Sequence, residues 1–400
     1  MQSPASLPLT LLLGLLIALT ALAIDSTLPA LPALAAAFGA EAGAAQFTLT
    51  CFFAGVAVGQ LTWGPISDRY GRRPALIAGL ALCAAASAAA AFSQGLSTLA
   101  LLRAAQGFGT SACAVVARTV VRDLYSHERA AQMLARMMIV FGIVPIAGPL
   151  IGGRLLEAWG WGAVFWLHAA VAAVLLVSVA RGLAETAPVE RRALTPGQIA
   201  AAFRELLAHR GFVAAFCVLL AIQVGIMAWI TSSAFVLIRG FGVSPDGYAL
   251  LFALVMLGQI SGAWASSRLV MRHGIARMLA AGATIGAISG VAMAALAFAG
   301  VSHWSAVVGP MLGFMFASSL VLPHATAAAL TPFPRIAGTA ASLMGSVQFA
   351  CGALVGAALG AAFDGSARPL AATVAVAGVA AFAALHLLYK PPTEALRGPR

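Results

Sequence analysis

The sequence predicts an all-α membrane protein of twelve transmembrane helices arranged as two six-helix bundles. Three observations predict it. First, the 400 residues are 62% hydrophobic and only 9% charged, where a soluble domain carries roughly 25% charged residues, and a water-soluble fold of this length cannot hide so much apolar surface. Second, the apolar residues gather into runs of about the 20 residues that cross a bilayer as a helix. Third, most gaps between those runs are short, so neighbouring helices are antiparallel.

Twelve such runs are read, near 8–32, 45–66, 74–94, 97–119, 134–156, 162–181, 212–237, 247–266, 276–299, 303–326, 336–361 and 369–389. In the first, Ala21-Leu22-Ala23 mimics a signal-peptide cleavage site. Met1 to Ser6 holds no Lys or Arg, however, and a signal needs a basic leader, so the run is read as a span. The longest gap, Gly182 to Gly211, separates six spans from six. Within it Thr195-Pro196 reads as a helix start, and Ile199, Phe203, Leu206 and Leu207 recur at helical spacing opposite Arg204, Glu205 and Arg210. That pattern is a surface amphipathic helix. The expected organisation is a bundle over 1–182, a cytoplasmic linker over 183–211 and a bundle over 212–400. Paired halves suggest a transporter built from structural repeats, with its site near mid-membrane.

The net charge of +11 would suit nucleic acid if it formed a stripe or tail. Instead the basic residues fall in short clusters in alternate gaps: Arg69, Arg72 and Arg73; Arg118, Arg122, Arg129 and Arg136; Arg181, Arg191, Arg192, Arg204 and Arg210; Arg268, Arg272 and Arg277; Arg335; and Lys390, Arg397 and Arg400. The other gaps hold only Arg154, Arg239 and Arg368. Positive charge marks the cytoplasmic side, so both termini and the middle loop are placed there and no nucleic-acid partner is expected. The five cysteines all lie in apolar stretches with no metal spacing, and they read as small core residues.

Four local patterns carry chemistry. "GPISDRYGRRP", Gly64 to Pro74, falls between spans two and three. Its glycines allow a tight turn, and Asp68 is spaced to accept from Arg72 or from a nearby helix N-terminus. Such a clasp, with Arg69 and Gly71 as its other members, can hold one state of a two-state machine. "LLRAAQGFGTSA", Leu101 to Ala112, sets Arg103 inside span four with Gln106, Gly107 and Thr110 on the same helical face. A charge at that depth normally faces a polar cavity or a partner. "GIVPIAGPLIGG", Gly142 to Gly153, carries Pro145 and Pro149, which remove backbone donors and are expected to kink the helix, and Gly148, Gly152 and Gly153, which let another helix approach.

The fourth is "TALAIDSTLPALP", Thr20 to Pro32. Asp25 is the one carboxylate predicted deep in a span. Counted from the outer ends of their spans, Asp25 and Arg103 lie at one depth, on the order of 10 Å below the surface at ~1.5 Å rise per residue. They are expected to share a cavity or to form a buried ion pair. Arg118, on the same stripe as Arg103, is expected near the inner mouth.

At these residues the chain resembles the major facilitator superfamily, and more narrowly the Bcr/CflA group of bacterial drug:proton antiporters. The resemblance is carried by "GPISDRYGRRP", by Arg103-Gln106-Gly107, by "GPLIGG", by "LPALP", by "VVRDLY" (Val120 to Tyr125) and by "AGTAASL" (Ala337 to Leu343), and it covers essentially the whole chain. It implies two bundles rocking around a central cavity and efflux of amphipathic drugs, such as chloramphenicol- or bicyclomycin-like compounds, in exchange for protons. It implies a bacterial inner-membrane monomer in contact with lipid, with no cofactor. Asp25 matches the family's membrane-embedded acidic position, for proton coupling; Arg103, with Gln106, Thr110 and Thr27, falls to the substrate cavity; Gly142, Gly148, Pro149, Gly152 and Gly153 match the antiporter motif. Many relatives read Asp-Met-Tyr-Leu-Pro where this chain reads Asp25-Ser26-Thr27-Leu28-Pro29, so an aromatic next to the carboxylate is replaced. The second-half loop "SSRLVMRHG", Ser266 to Gly274, lacks the aspartate, which makes the clasp one-sided. An enzyme needs a nucleophile and base or a metal cluster. The scattered histidines offer none: His168 alone sits deep in a first-half span, with no acidic neighbour in sequence. The runner-up is an exporter of a metabolite such as a sugar or amino acid.

Overall fold

The computed structural model describes residues 7–125, 127–187 and 196–389. Thr195, Arg191 and Arg192 of the middle loop, and Lys390, Arg397 and Arg400 of the C-terminus, lie outside the described residues. Among the described residues the chain is helical and contains no strand. Hydrocarbon offers no partner to a free backbone group, and a helix satisfies its own. Among the described residues eleven helical elements are long and apolar enough to cross a membrane, with mean hydropathies from 1.3 to 2.4. Their outer faces stay apolar: Leu101, Phe92 and Trp159 are each more than two-thirds exposed.

In chain order the helices are α1 (Leu7–Asp25), α2 (Leu31–Ala37), α3 (Ala42–Tyr70), α4 (Arg72–Ala90), α5 (Leu96–Leu124), α6 (His127–Trp159), α7 (Gly162–Gly182), α8 (Pro196–Ala208), α9 (Arg210–Ala234), α10 (Pro245–Phe298), α11 (Ser305–Leu330), α12 (Ala337–Ala361) and α13 (Arg368–Leu388). Spans eight and nine, labelled together as α10, are two helices that meet at Gly274, where the helical backbone is interrupted by a φ of 76° that a side chain would strain. The amphipathic α8 forms as its periodicity requires. Leu206 is fully buried, whereas Leu207 is exposed although it falls on the predicted apolar side.

The chain divides into two compact units, residues 1–195 with 345–357 and residues 196–344 with 358–400. In the first, α3 and α4 lie against α5, and α1 packs on α5, α6 and α7. Glycine sets how close they come. A Cβ on Gly107 of α5 would overlap the Phe52 carbonyl oxygen of α3, and one on Gly109 would stand 2.7 Å from the Gly79 carbonyl of α4. In the second unit, α10 packs on α11 and α13, and Trp229 of α9 stacks on Phe252 of α10 at 6.1 Å between centroids.

The prolines after Asp25 do not end the first span; they redirect it. Pro29 and Pro32 have no N–H to continue an α-ladder. The bonds shorten to Thr27 N–Ile24 O at 3.1 Å and Ala30 N–Thr27 O at 3.0 Å, a 3-10 turn forms over Leu28–Ala30, and α2 carries the chain to Ala37. Asp25 therefore lies further from the end of its span than the sequence places it.

Candidate functional site

Asp25 is the last residue of α1 and is 5% exposed. The next two hydroxyls turn back into their own helix: Ser26 Oγ donates to Leu22 O at 2.6 Å and Thr27 Oγ1 to Ala23 O at 2.9 Å. Thr27, a candidate for the substrate cavity, is thus fully buried against α1. From α6 the "GPLIGG" stretch closes on the same corner. A Cβ on Gly148 would stand 2.8 Å from that of Asp25, and one on Gly152 would overlap the Ser26 carbonyl. Gly153 is buried, and Gly142, about three turns earlier, faces open space. Pro145 and Pro149 lie inside an unbroken α6. Two patterns read separately in the sequence are one contact.

Arg103 is fully buried on α5. Its Nη1 donates to Gln106 Oε1 at 2.6 Å and to Ala23 O at 3.2 Å, and its guanidinium lies 4.3 Å from the Phe52 ring centroid and 5.8 Å from that of Phe165. A cation over an aromatic face is stabilised by the ring quadrupole, most strongly where water is excluded. The remaining nitrogens, Nε and Nη2, are buried and reach no acceptor among the described residues. No ion pair joins Asp25 to Arg103; among the described residues, Arg72 pairs with Asp68 and Asp123, and Arg154 with Glu157. The guanidinium is turned instead onto Gln106, the Ala23 carbonyl and the Phe52 ring.

Gln106 is the hub of a wider network. Its Nε2 donates to Ser87 Oγ of α4 at 2.8 Å and meets His168 Nδ1 of α7 at 3.1 Å; His168 Nε2 lies 2.7 Å from Ser26 Oγ. Thr110, fully buried, donates to Gly107 O at 3.1 Å and accepts Thr20 Oγ1 at its carbonyl at 3.4 Å. Phe53 and Met137 are fully buried, whereas Met138 is exposed.

The clasp is built at two helix ends, not in a loop. α3 runs to Tyr70 and α4 starts at Arg72, so Gly71 alone turns the chain, at a φ of 107°. Arg72 pairs with Asp68, donates from Nε to Asp123 Oδ2 of α5 at 2.9 Å and from Nη1 to Ser67 Oγ at 3.0 Å. Glu185, just past α7, accepts from the Arg72 N–H at 2.9 Å and the Arg73 N–H at 3.3 Å. That places a carboxylate on the positive N-terminus of α4. Arg73 reaches the Ala180 carbonyl. Burial raises the Glu185 pKa, but backbone N–H bonds from Ala187, Arg72, Arg73 and Thr186 outweigh it, and the carboxyl is held below the usual glutamate range. A Cβ on Gly71 would overlap Glu185 Oε2. Gly64 has open space around it and Arg69 is exposed. Arg118 is exposed as well, its Nε donating to Ala114 O at 2.8 Å.

The description Major Facilitator Superfamily matches residues 13–356. The chain belongs to this superfamily. Its membership makes it a multi-pass inner-membrane transporter rather than an enzyme, and its relatives are of the Bcr/CflA type that the motifs resemble. The transporter is 29% identical over 394 residues to the bicyclomycin resistance protein homolog of Haemophilus influenzae, covering 97% of each chain. It is 31% identical over 353 residues to multidrug resistance protein D of Escherichia coli, covering 87% of each. Among solved structures it is similar to a D-xylose–proton symporter, with a TM-score of 0.75 at 16% identity over 96% of each chain. It is also similar to the human organic anion transporter MFSD10, with a TM-score of 0.70 at 19% identity over 94% of this chain and 98% of that one. At those identities the likeness is one of fold. Among the described residues of the transporter, no group of three or more His, Cys, Asp or Glu is placed to hold a metal ion.

Sequence reasoning missed three members of these two sites. Asp123 and Glu185 are remote in sequence from the Arg72 they serve, and no local spacing points to them. His168 did carry a signal, a histidine deep in an apolar run, which becomes meaningful once α7 is seen against Ser26.

Proposed function

We propose that the transporter exports amphipathic drugs in exchange for protons, with Asp25 as the proton-carrying group and both termini on the cytoplasmic side. The observation that carries this reading is the Asp25 corner itself. Among the described residues Asp25 is a buried carboxylate in no ion pair, with Gly148 of the antiporter-like helix α6 against its Cβ and Gly152 against the carbonyl of the adjacent Ser26. A buried carboxylate that is not paired is more readily kept neutral than charged. A change of packing that opens the α1–α6 corner to water would favour releasing the proton, and closure would favour holding it. Such a group can exchange a proton between two compartments as access alternates. The names of the relatives, a bicyclomycin resistance homolog and a multidrug resistance protein, support a drug as the other cargo.

Arg103 is the second member. Its buried Nε and Nη2 offer donors to an acceptor on the drug, and the Phe52 ring gives an apolar wall beside them. Asp68, Arg72 and Asp123 hold one end of the first unit in a single arrangement, with Glu185 as a cap, and serve as a conformational clasp. The transporter acts as a monomer in the bilayer.

The test is resistance. Expression in a bacterial host stripped of its own exporters raises tolerance to bicyclomycin or chloramphenicol, and a protonophore removes the gain. Unchanged tolerance, together with protonophore-sensitive export of a sugar or amino acid from loaded vesicles, would establish the metabolite exporter instead.

A further inference from the structure

Beside the direct bonds from α5 to α1, a second path from Gln106 to Ser26 runs through one imidazole, and its donors and acceptors can be assigned in only one way. Arginine can only donate, so the atom of Gln106 that faces Arg103 Nη1 is its oxygen. The Gln106 NH2 then points the other way, giving one hydrogen to Ser87 Oγ and the other to His168 Nδ1. Ser87 passes its own proton to Cys83 O at 2.6 Å. His168 Nδ1 is therefore an acceptor, and the ring proton sits on Nε2, where it is donated to Ser26 Oγ. Ser26 in turn donates to Leu22 O. Every hydrogen bond has one donor and one acceptor with the imidazole neutral. A second ring proton at Nδ1 would set donor against donor at Gln106, beside the Arg103 charge.

We infer that His168 is a positioning residue for proton exchange at Asp25: as a neutral Nε2–H imidazole it ties Ser26, the residue bonded to Asp25, to Gln106 and Arg103. The inference rests on the proposed role of Asp25. The ring is fully buried and edge-on to Phe165 at 5.9 Å, so it is locked rather than free to shuttle. It fixes the end of α1 from the α7 side while Gly152 fixes the same Ser26 from the α6 side. The charged and titratable groups on the elements facing this corner are few. α5 brings Arg103, with Cys51 of α3 and Cys83 of α4 near it, and α7 brings His168 itself. α6 presents glycine there, and its Arg154 and Glu157 are exposed and lie 3.7 Å from each other. Arg118, Arg122 and Asp123 of α5, Arg129 and Arg136 of α6, and Arg181 of α7 lie toward the other ends of their helices.

The test has two arms. Nitrogen NMR of 15N-histidine-labelled transporter in lipid, with His168 assigned by its loss in His168→Phe, reads the ring directly among the seven histidines. A neutral Nε2–H signal, unchanged from mildly acidic to mildly alkaline pH, is expected. An imidazolium or an Nδ1–H ring would overturn the inference, and His168→Gln supplies the assignment if His168→Phe fails to fold. The second arm is the pH profile of bicyclomycin-driven proton exchange. His168→Phe should shift its midpoint by roughly one pH unit with bicyclomycin binding retained. Ser26→Ala should give the same shift, the double variant no more than either alone, and His168→Gln, which restores an N–H toward Ser26, should return part of it. A folded His168→Phe with the wild-type midpoint would contradict the inference. Retained coupling in Asp25→Asn would instead remove the reading beneath it, while leaving the tautomer result standing.

Discussion

Gly152 of α6 meets the Ser26 carbonyl of α1 in a contact so close that a Cβ on the glycine would stand 2.7 Å from the carbonyl carbon. The obstacle is backbone, which cannot swing aside as a side chain would. Only two helices separated further, or rotated, can accept a larger residue at position 152. The contact ties the antiporter-like motif to the residue after Asp25, and it gives α6 leverage over how tightly the carboxylate is enclosed.

Gly152→Ala should therefore cost about 1–3 kcal/mol, the usual range for overpacking, and should lower proton-coupled efflux. Gly142→Ala, on the same helix but facing open space, should be close to wild type in both. Thermal unfolding in detergent and drug efflux from vesicles check the pair. Equal effects from the two substitutions would mean that α6 flexibility, and not the Ser26 contact, is what the glycines supply.

Arg103→Lys keeps the charge and loses the geometry. An ammonium cannot hold Gln106 and the Ala23 carbonyl while lying flat against Phe52, and arginine and lysine differ most at stacked sites. Efflux should fall by at least about tenfold, an order-of-magnitude figure for one lost charged hydrogen bond, with the protein still inserted and folded. Transport assays beside size-exclusion profiles check it.

The clasp depends on Arg72 more than on any one carboxylate, because Asp68, Asp123 and Ser67 all converge on it. Arg72→Ala leaves two carboxylates facing one another and should loosen the clasp further than Asp68→Ala, which leaves the Asp123 bond in place. The labelling rate of a single cysteine at position 118, in an otherwise cysteine-free transporter, should rise in that order.

Glu185 makes the same end of the molecule sensitive to acid. Its folded pKa is depressed, so its contribution is present above the unfolded value, about 4.3, and is lost as pH falls through the lower, folded value. Amide exchange at Arg72 and Arg73, corrected for intrinsic rates, should stay slow at neutral pH and accelerate in that acidic window. In Glu185→Ala it should be fast throughout and show no such step.

The architecture was readable because hydrocarbon leaves little choice: apolar runs of spanning length become helices, and short gaps make them antiparallel. The two membrane charges were readable for the same reason, since Asp25 and Arg103 stand out against apolar neighbours. What they do to each other was not. Equal depth suggested a pair, but depth fixes only one coordinate, and the rotation of α5 turns the guanidinium onto Gln106 and Phe52. The clasp shows the complementary limit. The Asp68–Arg72 spacing is local and was legible, whereas Asp123 and Glu185 arrive from α5 and from the end of α7 by packing alone. His168 falls between: its depth was evident, its partners were not.

The central claim is that Asp25 carries the exchanged proton. Purified transporter in lightly buffered detergent solution, given bicyclomycin, should release protons in a pH-dependent manner, and Asp25→Asn should bind the drug with no proton released. Wild-type proton release from a folded Asp25→Asn transporter would contradict the account.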